Sequence, residues 1–422
     1  MPIRGDEPTT GVASTRLALH HSMMTTHTLQ PVSLKSQAVS FQALPPLSLY
    51  IHIPWCVRKC PYCDFNSHEA HGAIPEQEYV SALIRDLELA LPLVWGRKVY
   101  TVFFGGGTPS LLSGESVEQI IRNLRMLLPL DINAEITLEA NPGTVEADRF
   151  AAYRESGVNR LSLGIQSFND THLQALGRIH SADEARRAIA IAQQHFENIN
   201  LDLMYALPRQ TLDEALQDVK SALTFAPQHL SCYHLTIEPN TLFHRNPPPL
   251  PDDDTGSDMQ QRIEELLAAQ GYQHYETSAF ARPQRRAKHN LNYWKFGDYL
   301  GIGAGAHSKL SFPDKVIRQV RYKQPQAYMQ QVAKDAPIQT ELEVSRDELG
   351  FEFMMNALRL NEGFDSVLFS ERTSLPLLGI RRELDEAVRR GLLFRDHQRI
   401  APTRLGQRFL NDLLEIFLGE AP

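Results

Sequence analysis

Three of the four cysteines fall within eight positions, in the run Trp55-Cys56-Val57-Arg58-Lys59-Cys60-Pro61-Tyr62-Cys63-Asp64. Three thiolates on one short loop can each take an iron of a cubane [4Fe-4S] cluster and leave the fourth iron open. Thiolates suit zinc equally, so the spacing alone leaves the metal undecided. A structural zinc site needs a fourth ligand, for which His68 and Cys232 are the candidates. A dithiol of the thioredoxin kind would use Cys60 and Cys63 and leave Cys56 without a task. A disulfide framework does not suit four cysteines in a long chain that shows no secretory signal. Tyr62 favours the cluster, because a ring just before the last cysteine can lie against a bound nucleobase.

The elements around this loop predict how it is held. Leu49–Pro54, Val99–Phe104, Glu135–Glu139, Arg160–Gln166, Asn200–Tyr205 and Leu230–Thr236 read as strands. Between them, helical spacing runs over Glu76–Leu91, Glu115–Leu128, Glu146–Ser156, Asp170–Leu176, Ala182–Phe196 and Leu212–Phe225. Alternation of this kind means a parallel sheet, and right-handed crossovers curl it into a partial (β/α)6 barrel of TIM type. Chemistry in such barrels sits at the carboxyl ends of the strands. The cysteine loop follows the first strand and Gly105-Gly106-Gly107-Thr108-Pro109 the second; Glu139 ends the third and Gln166 the fourth. Asp202 lies inside the fifth, a looser fit. Each of these residues has an ordinary alternative, a tight turn or a surface charge. Their common rim is what points to a site.

With 422 residues, 42% apolar and 22% charged, the chain has room for a barrel and an appendix. A net charge of −8 and a pI near 6.1 offer no basic stripe for phosphates, which argues against a nucleic-acid binder. No apolar run approaches the ~18 residues of a membrane span. Sparse, clustered cysteines fit a reducing compartment, so a cytoplasmic protein is expected.

Residues 1–46 are rich in Ser, Thr, Pro and His and read as a disordered extension, with Met23 or Met24 as an alternative start and His20, His21 and His27 as solvated tail. The barrel is expected over 47–280. Asp252-Asp253-Asp254 reads as the start of a helix over Met259–Ala269, and Tyr272–Ala281 as a further strand. An accessory segment over 281–335 carries His289-Asn290-Leu291-Asn292-Tyr293-Trp294 and Gly301-Ile302-Gly303-Ala304-Gly305-Ala306-His307-Ser308; a lone glycine-rich run is weak evidence for phosphate binding. Over 336–422, helices, a hairpin at Gly391–Pro402 and a closing helix over Leu405–Leu418 suggest a small winged-helix-like domain.

The loop, written C-x3-C-x-aromatic-C, resembles the radical S-adenosylmethionine (SAM) superfamily. With Tyr50 to Cys56, Gly105–Pro109, Leu163–Ser167, Asp202–Tyr205 and Gly301–Ser308, the chain from about residue 47 onward is similar to the oxygen-independent coproporphyrinogen III oxidase family. The resemblance implies a [4Fe-4S] cluster on Cys56, Cys60 and Cys63. It also implies SAM contacts from Tyr50, Tyr62, Gly106, Gly107, Thr108, Glu139, Gln166, Arg178 and Asp202, with His307 close by. Two features are similar to the family's haem-chaperone branch. Phe65 stands where the oxidases carry a further cysteine, and the H-N-x-x-Y-W element makes His289 the expected haem ligand, although a hydrogen-bonded turn histidine is the plain alternative. That branch implies haem as cargo, haem-accepting respiratory proteins at the membrane as partners, and a one-electron donor such as flavodoxin or ferredoxin. A homodimer stays open, and decarboxylation of coproporphyrinogen III is the alternative function.

Overall fold

In the first strand, β1 (Leu47–Ile53), side chains alternate Leu-Ser-Leu-Tyr-Ile-His-Ile, and successive strand residues point to opposite faces. The same alternation recurs in β2 (Val99–Gly106), β3 (Leu130–Ala140), β4 (Arg160–Gln166), β5 (Ile199–Tyr205) and β6 (His229–His234). Leu49, Val102, Leu138, Leu161, Leu201 and Leu230 are buried in one continuous core with apolar residues of the helices. The other face carries Ser48, Thr101, Glu139, Arg160, Asn200 and His229. A closed barrel of this kind is filled by branched apolar side chains; here the inner face is polar, as a binding lumen requires.

The computed structural model describes residues 39–144 and 147–418. Residues 1–38 of the expected extension, with His20, His21, His27, Met23 and Met24, lie outside the described residues. Within 39–46, Val39 and Phe41 pack against the C-terminal core, and Ser374 Oγ donates to Ser40 O at 2.7 Å.

Outside the sheet lie α1 (Glu76–Ala90), α2 (Gly114–Leu127), α3 (Ala147–Ser156), α4 (Asp170–Ala175), α5 (Ala182–His195), α6 (Leu212–Leu223) and α7 (Asp253–Ala269). Reciprocal caps start α5 (Ser181 with Glu184) and α6 (Thr211 with Glu214). The Asp252 side chain accepts from Thr255 N at 2.8 Å, so the acidic run is the beginning of α7, as its composition predicted.

The sheet extends beyond six strands. The stretch read as one strand at Tyr272–Ala281 is two short antiparallel ones, β7 (Gln273–Glu276) and β8 (Ala279–Ala281), on the outer edge of β6. The segment read as an accessory contributes a helix, α8 (Lys288–Trp294), and then β9 (Asp298–Ile302), which pairs parallel to β1. Behind β9 follow antiparallel β10 (His307–Ser311), β11 (Val316–Arg321) and β12 (Ile338–Glu343), with α9 (Pro325–Val332) between the last two. The order is β12-β11-β10-β9-β1-β2-β3-β4-β5-β6-β8-β7, twelve strands in one open sheet.

The C-terminal part has its own core around Phe353, Phe369, Leu384 and Ile400. It consists of α10 (Arg346–Ala357), α11 (Ser366–Thr373), α12 (Arg381–Arg389) and a small antiparallel sheet of β13 (Phe364–Asp365), β14 (Leu393–Arg395) and β15 (Arg399–Pro402). Three helices and a hairpin give the expected winged-helix-like domain. Its closing helix is broken at Phe409 into two short pieces.

Candidate functional site

The cysteine loop leaves β1 at Pro54 and is tied down at many points. Gly107 N donates to Ile53 O and Thr108 N to Trp55 O, both at 2.7 Å, which clamps the glycine turn after β2 under the loop. Only glycine fits there. Gly106 has φ +116°, and a Cβ on Gly107 would stand 2.5 Å from the Trp55 carbonyl oxygen. On the other side, Asn66 Nδ2 donates to Ala304 O at 3.0 Å and to Lys323 O at 2.8 Å. Gly301–Ser308 is thus the β9–β10 turn that straps the cysteine loop to the sheet, with Gly303 at φ +103° and Gly305 at φ +79°. A phosphate cradle is not needed to account for it.

Cys56, Cys60 and Cys63 are free thiols of intermediate burial. Burial pushes the Cys56 and Cys63 thiols up, against hydrogen bonds from Thr108 to Cys56 and from Ser67 to both. Arg178 Nη1 points at Cys60 Sγ at 3.7 Å, while Nη2 donates to Gly164 O at 2.8 Å and Nε is buried without a partner. Burial works against that guanidinium's charge, and Tyr62 and Cys60 beside it outweigh burial, so its proton is held. Tyr62 packs on Phe243 in a small apolar cluster with Leu176 and Met204. Among the described residues no three His, Cys, Asp or Glu side chains are gathered for a single metal ion. A cubane presents a separate iron to each thiolate.

Above the lumen, Glu139 accepts from Gly106 N at 3.3 Å, its one partner among the described residues. Burial, then the charge of Asp202, pushes its carboxyl up to about 8. Asp202 is better held, by Ser162 Oγ at 2.9 Å and Asn200 Nδ2 at 2.8 Å. Register explains its position inside β5: Asp202 lies opposite Gly164, two residues below Gln166, so it faces the lumen under the rim. Gln166 ends β4 with φ +67°, and its Nε2 approaches the same Gly164 as Arg178. Tyr50 OH lies 3.1 Å from His52 Nδ1, whose ring is kept neutral by burial, its pKa lowered to about 4. His307, exposed, opens β10 beside this group.

His289 is elsewhere. It is 1% exposed on α8, with Thr101 Oγ1 2.8 Å from Nδ1 and Tyr293 OH 3.3 Å from Nε2, and Glu135 accepts from its backbone N–H at 3.1 Å. Its ring stacks on Phe103 at 5.0 Å. The H-N-x-x-Y-W helix therefore forms a floor beneath the lumen, and Trp294 leans on Arg359 instead of facing the site. Sequence reading missed His52, Asn66, Ser162 and Asn200. Their signal is the polar half of the strand alternation, which the apolar half conceals.

The comparisons with known proteins show the family and the fold. The Radical SAM superfamily model matches residues 50–222, and the HemN C-terminal domain model residues 344–409. The protein described as Heme chaperone HemW in Escherichia coli (strain K12) is 51% identical over 379 residues, covering 89% of this chain and 99% of that protein. The chain belongs to the HemW family. Further HemW relatives include that of Haemophilus influenzae, 48% identical over 89% of this chain and 99% of its own length. A bovine mitochondrial protein described as radical S-adenosyl methionine domain-containing protein 1 is 35% identical, covering 87% of this chain and 86% of its own. Among solved structures, coproporphyrinogen III oxidase from Escherichia coli superposes with a TM-score of 0.76 at 25% identity over 89% of this chain and 90% of its own. As a radical SAM protein of this family, the chain takes a [4Fe-4S] cluster and SAM. The residues present fit both: three free thiols, an orphaned Arg178 Nε and an under-bonded Glu139.

Proposed function

We propose that this chain is a haem chaperone that carries a [4Fe-4S] cluster on Cys56, Cys60 and Cys63 and SAM across the barrel rim. It binds haem and passes it to haem-accepting respiratory proteins. The observation that carries the reading is the 51% identity to a protein described as Heme chaperone HemW over nearly its whole length. Phe65 supports it: the ring, 61% exposed, stands two residues after the third cysteine, where the oxidases carry another thiol. The chain acts in the cytoplasm and docks transiently at the membrane. Among the described residues no helix is long and apolar enough to cross one. A small one-electron donor, flavodoxin or ferredoxin, reduces the cluster.

Bound SAM and cluster supply one-electron chemistry; the residues hold, orient and shield them. Tyr50, Gly106, Gly107, Thr108 and Gln166 line the cofactor, Glu139 and Arg178 take its charged amino-acid end, and Asp202 its hydroxyls. As haem ligand we assign His307. His289 would have to leave both ring partners and the floor, whereas the exposed His307 stands at the rim. His234, exposed at the end of β6, is next in line.

The test is to incubate the reconstituted protein with SAM and reductant, and with either haem or coproporphyrinogen III. A shifted Soret band, weakened in His307→Ala, and no protoporphyrinogen are expected. Protoporphyrinogen above a cluster-free control would make the chain an oxidase.

A further inference from the structure

Arg160 opens β4 on its polar face and is 3% exposed. Its Nε is buried without a hydrogen-bond partner, and no ion pair holds its guanidinium among the described residues. Thr137, its register partner on β3, also keeps a buried hydroxyl unbonded. On the same face and about 6.6 Å further along the strands, two residues on, Glu139 lies opposite Ser162, which donates to Asp202. An unpaired buried cation is costly, and here it sits beneath two buried carboxylates.

Of the other groups in this space, Glu135 is held by two backbone N–H groups of α8 and Glu276 by Arg359, and the rest carry no lasting charge. Glu139 faces Tyr50, Asp202, Tyr233 and Arg160. Arg160 faces, besides the two carboxylates, His229, Tyr275 and His289. Burial drives both imidazoles toward neutrality and holds the tyrosines protonated. A guanidinium does not give up its proton, so Arg160 is the standing cation of the set. Burial raises the Asp202 carboxyl as well, against hydrogen bonds from Asn200 and Ser162, whereas Glu139 has one backbone N–H at 3.3 Å among the described residues.

We infer that Arg160 is a positioning residue that eases the ionisation of Glu139, through space and from below, so that Glu139 can receive the ammonium of SAM. This rests on SAM being held at Glu139. Two carboxylates sharing a buried site resist double ionisation, and a fixed cation below them relieves that without competing for the ligand's place. A cation filling a structural gap would affect folding alike at every pH.

The experiment is calorimetric SAM affinity between pH 6 and 9 on anaerobically reconstituted protein, for the wild type, Arg160→Met, Arg160→Lys and Glu139→Gln. The wild type loses affinity toward acid as Glu139 takes a proton. Arg160→Met is expected to move this acid limb up by about one pH unit, making SAM roughly tenfold weaker at pH 7 and nearly unchanged at pH 9. Arg160→Lys should keep the wild-type limb. An unmoved limb in Arg160→Met, an equal loss at every pH, or tighter binding would overturn the inference. Should Arg160→Met fail to fold, Arg160→Lys decides: a wild-type limb supports the charge role, and a uniform loss overturns it. A wild-type profile that Glu139→Gln does not alter would instead defeat the placement of SAM at Glu139.

Discussion

The rim and the floor of the barrel are built from the same residue types, histidine, tyrosine, carboxylate and arginine, in opposite states of satisfaction. At the floor, Glu135 accepts two backbone N–H groups of α8, and His289, Thr101, Ser48 and Asn292 form a closed set of hydrogen bonds. At the rim, three thiols are free, Arg178 Nε is orphaned and Glu139 has a single long bond. Buried polar groups are normally bonded, and at the rim the unbonded or weakly bonded ones gather around one space, which is where a ligand is due. A motif of histidine and aromatics thus turns out to be a floor, while plain strand residues form the site.

The largest effect that would separate the regions is on the cluster. Cys60→Ala should lose nearly all of the about four irons per chain expected by iron analysis of anaerobic protein, whereas Cys232→Ala, altering a buried core thiol, should keep them. Full iron in Cys60→Ala would break the assignment of the rim.

Next in size is the floor. His289→Ala strands the Tyr293 hydroxyl, takes one of two partners from Thr101 and leaves a cavity against Phe103, which should cost about 2–4 kcal/mol in denaturant unfolding. Iron content of the folded fraction should not change. A variant of wild-type stability that had lost haem binding would restore His289 as the haem ligand.

The sequence made the barrel legible because its six parallel strands each end in a recognisable turn. It hid the larger sheet, since β9 pairs with β1 from some 250 positions away and nothing local announces that pairing. Tyr272–Ala281 looked continuous because Thr277-Ser278 is a weak turn signal between two β-prone runs. Asp202 looked misplaced until the β4–β5 register set it opposite Gly164. His289 was read from its aromatic neighbours, which in space are its packing partners. The cysteine spacing needed no structure.

Asp202→Ala should weaken SAM binding about ten- to a hundredfold with the cluster in place, the loss of a charged hydrogen-bonding partner worth roughly 1.5–3 kcal/mol. Calorimetry on the reconstituted variant checks this, and unchanged affinity would remove Asp202 from the site.

A separate effect is on acid stability. Burial lowers His52 and His180 to about 4 and His289 to about 3. Below the ordinary imidazole range, near 6.5, the unfolded chain binds protons that the folded one does not. The unfolded state thus binds more protons, stability rises with pH, and what these histidines contribute is present above about 6.5 and lost toward 4 and 3. Melting temperatures at pH 7.5, 6 and 5 should fall in that order, and His289→Gln should flatten the slope. An unaltered slope would mean that His289 is not buried neutral.

The most direct test of the division between rim and floor measures two quantities on one pair of variants: iron content and unfolding free energy of Cys60→Ala and His289→Ala, purified side by side without oxygen. The account predicts that Cys60→Ala loses its cluster while the apo-proteins of variant and wild type unfold alike, and that His289→Ala keeps its cluster while losing about 2–4 kcal/mol. A His289→Ala protein with wild-type stability, or a Cys60→Ala protein with its iron intact, would contradict it.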